Sequence, residues 1–224
     1  HKITGDIAVR KGFATFYTQV PAAHLLATLA VRILLGLEGE PTGKEDPWEL
    51  VSRAQGVKVA DFACGSGTLL TASYSPLMRV LTELVRDNGL GVDLDVVGKG
   101  IIEDGIYGID ALKYAAQMAA MNLALISPGN IVRENIHTMY LGYMPEKNQP
   151  RLGSLELLIN GRGIIGEGLE LPEKFDLIIM NPPFTRATGR VSDEYREKGL
   201  FGFVTEGKYR EMLRKRLDEV RRRA

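Results

Sequence analysis

The sequence predicts an α/β fold in which a mostly parallel sheet lies between two helical layers, and three observations carry that prediction. Strand-like and helix-like apolar patterns alternate through the middle of the chain, as they do where parallel strands are joined by helical crossovers. The stretch VKVADFACGSGTLL, residues 57–70, reads as strand, glycine-rich turn and helix start. The stretch FDLIIM, residues 175–180, reads as a buried strand that stops abruptly at Asn181-Pro182-Pro183-Phe184.

In chain order, PAAHLLATLAVRILLGL (residues 21–37) has apolar side chains at helical spacing, with Pro21 in a first turn and Gly36 near the end. A polar linker precedes a short amphipathic helix from Trp48 to Ala54. After the glycine turn, a helix runs through LMRVLTELVRDNG (residues 77–89), and Pro76 predicts a kink or a restart. GVDLDVVGKG (residues 91–100) reads as a loop, GIYGID (105–110) as a strand, and ALKYAAQMAAMNLALI (111–126) as the strongest helix in the chain. An extended stretch near Ile131–Ile136, a glycine-bearing loop and a strand LELLI (155–159) precede FDLIIM. The last segment places Tyr209, Met212, Leu213, Leu217 and Val220 on one helical stripe; the expectation is a basic, solvated surface helix rather than a DNA contact.

The 224 residues, 45% hydrophobic and 25% charged, suffice for one sizeable core. Basic and acidic residues balance at 28 each, so nucleic-acid binding would have to come from local patches. The single cysteine, Cys64, excludes an internal disulfide framework, and with three scattered histidines it gives no metal-ligand spacing. No apolar run reaches the roughly 18 residues of a membrane span, so the expected location is the cytoplasm.

Gly65 and Gly67 sit where a missing β-carbon lets a ligand approach the backbone. The spacing is not that of a phosphate-binding GxxxxGK[ST] loop, which disfavours nucleoside triphosphates. Asp61 ends the preceding strand, where it can anchor loop amides or attract an ammonium group. Asp110 ends the next one, where it can accept both hydroxyls of a ribose. The gap from the turn to Asp110 exceeds the roughly 20 residues of a dinucleotide fold, so NAD is disfavoured and an oxidoreductase is a distant alternative. A nucleoside with an amino-acid tail fits better.

With these residues in view, DFACGSGTLL resembles motif I of S-adenosylmethionine-dependent amino-methyltransferases, and NPPF resembles their catalytic motif IV. FATFYTQVPAAHLLATLAV is similar to motif X. Their order matches the gamma group of adenine-N6 DNA methyltransferases, notably the modification subunits of type I restriction systems. The resemblance spans residues 13–186 and implies a Rossmann-like sheet and S-adenosylmethionine as cofactor. It places Phe16, Tyr17 and Thr18 at the methionine end and wraps Asp61, Ala63, Cys64, Gly65, Ser66, Gly67 and Thr68 around the same region. Asp110 would hold the ribose, Ala111 would lie near the adenine, and Ser154 stands at the motif III position with Glu156 as a substitute. Cys64 is expected to be a packing residue.

Asn181 and the Pro182 carbonyl would accept hydrogen bonds from the target amine, Pro183 would stiffen the loop, and Phe184 would stack on a base rotated out of the duplex. DNA is the implied partner, with a target-recognition domain or subunit and an endonuclease beside it, and no metal. Three segments follow: 1–54 with motif X, 55–186 as the methyltransferase core, and 187–224 as charged loop and basic helix. The family has seven strands and none can be placed after FDLIIM, and the chain opens on His1; the expectation is therefore an incomplete sheet from a fragment or one part of a split enzyme. Methylation of guanine in ribosomal RNA or of a protein glutamine, and a non-catalytic cofactor-binding subunit, are the alternatives. Phe184 and the FYT segment favour DNA adenine.

Overall fold

The computed structural model describes residues 18–37, 46–127, 129, 135–144, 147, 149–160, 171–182 and 207–223. Its centre is a four-stranded, all-parallel sheet of β1 (Val59–Asp61), β2 (Ile106–Asp110), β3 (Asn135–Thr138) and β6 (Leu177–Ile178). The order is β3-β2-β1-β6. The chain steps outward twice from β1 and then returns to β1's other side. That reversal is a topological switch point, where ligands of open α/β sheets bind beyond the carboxyl ends of the strands.

Apolar periodicity builds the helices as expected. α1 (Val20–Leu34) carries a proline in its first turn and buries Ala23, Ala27 and Val31. α2 (Pro47–Gly56) is capped by Asp46, whose side chain accepts from the Trp48 amide. α3 (Thr68–Asn88) runs unbroken through Pro76, so no restart occurs there. The ring is buried with Leu77 and Leu81 on the core face, where packing offsets the lost amide. α5 (Lys113–Ile126) matches the strongest helical pattern. These helices and the sheet share one core, whose fully buried members include Leu35, Leu70, Ile101, Ile106 and Leu123.

Five expectations are corrected. The 91–100 stretch is not a loop: α4 (Leu94–Gly100) forms because the Asp93 side chain accepts from the Asp95 and Val96 amides, and it passes into a π-helical turn over Ile101–Gly105. The glycine-bearing loop after β3 holds an antiparallel hairpin, β4 (Leu141–Met144) with β5 (Gln149–Leu152). LELLI is not a strand. Gly153, at φ +60°, turns the chain into a 3₁₀ turn over Gly153–Glu156, and α6 (Leu157–Asn160) follows. The Glu156 carboxylate closes that turn by accepting from the Leu152 amide at 3.1 Å.

FDLIIM is not buried on both faces. β6 spans two residues, Ile179 is 4% exposed, but Ile178 is 53% and Met180 38% exposed, the alternation of an edge strand with one covered side. Finally, α7 (Gly207–Arg223) is docked rather than solvated. Leu213 and Val220 are buried against Leu152 of the hairpin in a small second core. Arg216 donates to both oxygens of the buried Glu156, at 2.7 and 3.3 Å. Among the described residues, no helix is long and apolar enough to cross a membrane.

Candidate functional site

The site forms where β1 and β6 end side by side. Val59 pairs with Leu177 and Ala60 with Ile178, which puts the turn after Asp61 next to Asn181. A small pocket, open to solvent, is lined there by Thr18, Asp61, Cys64, Gly65, Thr68 and Asn181, with Ala63, Ser66 and Leu69 between them.

Backbone chemistry explains the shape of the turn. Gly65 and Gly67 take φ values of +53° and +79°, a region that costs other residues strain. Gly67 also needs the missing side chain: a Cβ there would lie 2.9 Å from the Ala119 Cβ on α5. Gly108 on β2 is likewise hemmed in, by Ile136, Leu70 and the Cys64 sulfur. The Cys64 amide donates to the Ile109 carbonyl at 3.0 Å and the Gly67 amide to the Cys64 carbonyl at 2.7 Å. The Asn122 side chain donates to the Ser66 carbonyl at 2.9 Å.

Two carboxylates hold this turn from below. One Asp61 oxygen accepts from the Ala63 amide at 2.9 Å. The Asp110 oxygens accept separately, one from Gly65 and one from Leu112, each at 2.8 Å. Each Asp110 oxygen therefore keeps a lone pair for another donor. Asp61 is 1% exposed. Burial pushes its carboxyl up to about 7, the Ala63 amide opposes that shift, and the Asp110 charge adds to it. Burial likewise pushes the Cys64 thiol well above its ordinary range, with Asp110 and Asp61 adding to the effect. The thiolate needed for nucleophilic or metal chemistry is thereby disfavoured.

On the other wall, Asn181 donates its side-chain Nδ2 to the Thr18 hydroxyl at 3.1 Å, a contact between residues 163 apart in sequence. With Nδ2 engaged by an acceptor, the amide is oriented and Oδ1 is its remaining acceptor. Phe62 packs edge-on against Phe175, ring centroids 5.6 Å apart, and Phe175 against Tyr107 at 5.4 Å. That aromatic line ties the turn, β2 and the entry to β6.

Of the residues marked in the sequence, Thr18, Asp61, Ala63, Cys64, Gly65, Ser66, Thr68 and Asn181 come together around the pocket. Gly67 and Asp110 do not line the pocket but fix the turn, Gly67 by its close approach to Ala119 and Asp110 by accepting from the Gly65 amide. Ala111 lies just past β2 and Pro182 just past Asn181, and neither lines the pocket. Ser154 sits in the 3₁₀ turn and does not line the pocket, and Glu156 is paired with Arg216. Phe16, Tyr17, Pro183 and Phe184 lie outside the described residues. Sequence reading overlooked Asn122 and Ala119. Their signal was a polar residue and a run of small ones within an otherwise Leu- and Met-rich helix. Among the described residues no group of His, Cys, Asp and Glu could hold a metal ion.

No curated protein matches the chain. A profile of the family described as N-6 DNA methylase matches residues 47–208, well over half of the chain. That span runs from α2 through the glycine turn, both carboxylates and the Asn-Pro-Pro-Phe segment, and the chain belongs to the N-6 DNA methylase family.

Proposed function

We propose that the chain methylates the exocyclic N6 amine of an adenine rotated out of duplex DNA, using S-adenosylmethionine, as the modification component of a restriction-modification type system. The observation that carries this reading is the meeting of the glycine turn and Asn181 at one pocket, with Thr18 bonded across it.

The residues present fit such a cofactor. A buried acid, Asp61, with no basic partner among the described residues suits a ligand bearing positive charge. Asp110 has lone pairs left for two ribose hydroxyls. Gly65, with nothing within 4 Å of its absent Cβ, leaves the backbone open to close approach. When bound, S-adenosylmethionine supplies an electrophilic methyl group on a sulfonium. Thr18, with Phe16 and Tyr17 before it, faces the methionine end in this reading, and Asp61 to Thr68 wrap it; Ala111 borders the cofactor adenine.

An exocyclic adenine amine is a poor nucleophile because its lone pair is delocalised into the ring. Asn181 Oδ1 and the Pro182 carbonyl accept hydrogen bonds from that amine and draw its lone pair out of conjugation, while Pro183 limits backbone freedom and Phe184 stacks on the base. Thr18 keeps the amide in the orientation that presents oxygen rather than nitrogen. A target-recognition domain or subunit and an endonuclease complete the system in this proposal.

The test is methyl transfer from labelled cofactor to duplex DNA, ribosomal RNA and a glutamine-bearing peptide, with partner chains added where available. Transfer to adenine in DNA that is lost in Asn181→Ala supports the reading. Transfer only to RNA or peptide, or tight cofactor binding without any transfer, overturns it. Thr18→Val should lower kcat about 10- to 100-fold and weaken cofactor binding as well, since Thr18 lines the pocket, and Thr18→Ser should restore both.

A further inference from the structure

Asp61 and Asp110 approach the same turn, and among the described residues the surroundings of Asp61 contain no compensating positive charge. From β2 it faces the carboxylate of Asp110, and within the turn the neutral thiol of Cys64. The first turn of α3 contributes Thr68 and Leu69, β6 leads to Asn181, and the start of α1 brings Thr18, all uncharged. Lys58 stands at the far end of β1, where its backbone amide donates to Asp176 and its ammonium group to the Asp104 carbonyl. Among the described residues no basic side chain pairs with either aspartate. A carboxylate that is 1% exposed and beside a second one is costly to ionise without a cation.

We infer that Asp61 makes ligand entry a proton exchange: its carboxyl group is protonated when no cation is bound and releases that proton as a cationic ligand settles beside it, so the pocket selects charged over neutral ligands of similar shape. The inference rests on the cofactor reading above and adds a pH gate to it. The exchange balances: a neutral carboxyl and a singly charged group in solution become a buried ion pair plus one proton passed to buffer. Desolvation, which holds the proton on Asp61, is offset by the ligand's charge, so affinity depends on pH in the neutral range.

The experiment is titration calorimetry of the full chain with S-adenosylmethionine at about pH 6.5, in buffers of different ionisation enthalpy. The ligand's own ammonium group, which titrates near pH 8, stays charged there. The expected result is release of about half a proton or more per ligand, and affinity that falls about tenfold for each pH unit below the Asp61 midpoint. Asp61→Asn should abolish both effects. Binding that releases less than about 0.1 proton, with affinity flat from about pH 5.5 to 7.5, overturns the inference while leaving the cofactor reading intact. That outcome is read from the unmodified chain, so a poorly folding variant does not blunt it. Absence of binding removes the cofactor reading itself and the inference with it. S-adenosylhomocysteine, which keeps the ammonium but lacks the sulfonium, identifies the cation. Equal proton release assigns the ammonium, smaller release the sulfonium, and both results uphold the exchange.

Discussion

At the level of single residues, the two turn glycines look interchangeable in sequence and are not. Gly65 has a positive φ but open space around its Cβ position, whereas Gly67 has both a positive φ and the Ala119 Cβ at 2.9 Å. Gly65→Ala should cost about 1–2 kcal/mol of folding stability from backbone strain alone. Gly67→Ala should cost about 2–4 kcal/mol, because overpacking against α5 is added. Chemical denaturation of both variants measures the difference, and a smaller loss at Gly67 would contradict the packing described. Asp61 has its own stability signature. Its folded-state carboxyl sits near 7 against 3.8 for the free group. Between those values the unfolded chain gives up the proton that the folded chain keeps. Its contribution to stability is therefore full below about pH 4, falls as pH rises toward 7, and is flat above that. Relative to Asp61→Asn, the unmodified chain should lose up to about 1.4 kcal/mol per pH unit within that window. Denaturation midpoints of the two proteins at about pH 5 and 8 give the slope.

Among the elements, those fixed by local chemistry are legible in sequence and those fixed by a distant partner are not. The β1–turn–α3 unit shows plainly because a β-branched strand, two glycines and an apolar helix face each carry their own periodicity. β2 and α5 are equally self-declaring. α4 is hidden by its glycines, although Asp93 was there as its cap. LELLI misleads because five residues with four apolar ones suit a strand, and the partner that decides otherwise, Arg216, lies 60 residues away. The same distance hides the docking of α7: its apolar stripe is visible, the hairpin that receives it is not. At the site, the turn residues, Asp110 and Asn181 could be marked from motifs, whereas the Thr18–Asn181 bond needs the assembled sheet. The ion pair between Glu156 and Arg216 gives a direct test. Arg216→Met should destabilise the docked helix by about 3 kcal/mol, since it leaves Glu156 buried without its cation. The double variant Glu156→Met/Arg216→Met should recover a large part of that loss. A double-mutant cycle reporting no coupling would show that α7 is held by Leu213 and Val220 alone.

For the molecule as a whole, the buried apolar side chains among the described residues form three clusters, one of them only Ile109 and Met139 with their neighbours, and the other two imply two levels of protection. The main core joins α1, α2, α3 and the sheet, and the hairpin with α7 has its own smaller one. Native-state hydrogen exchange should find the β1, β2 and α3 amides opening only at the highest free energies, with the hairpin and α7 opening together at lower ones. Arg216→Met should lower the second set and leave the first unchanged; equal loss in both would mean a single cooperative unit.

The parallel pairing of β6 with β1 has a consequence in time. β1, β2 and β3 follow one another along the chain, but the strand that closes β1's other side follows directly on Asp176, whose side chain meets the Lys58 amide across 118 residues. A chain growing on the ribosome can shape the glycine turn well before Asn181 has been translated. The wall of the pocket built by the glycine turn is thus ready first, and the wall that carries Asn181 arrives last, onto a flank of β1 that has stood open to other strands in the meantime.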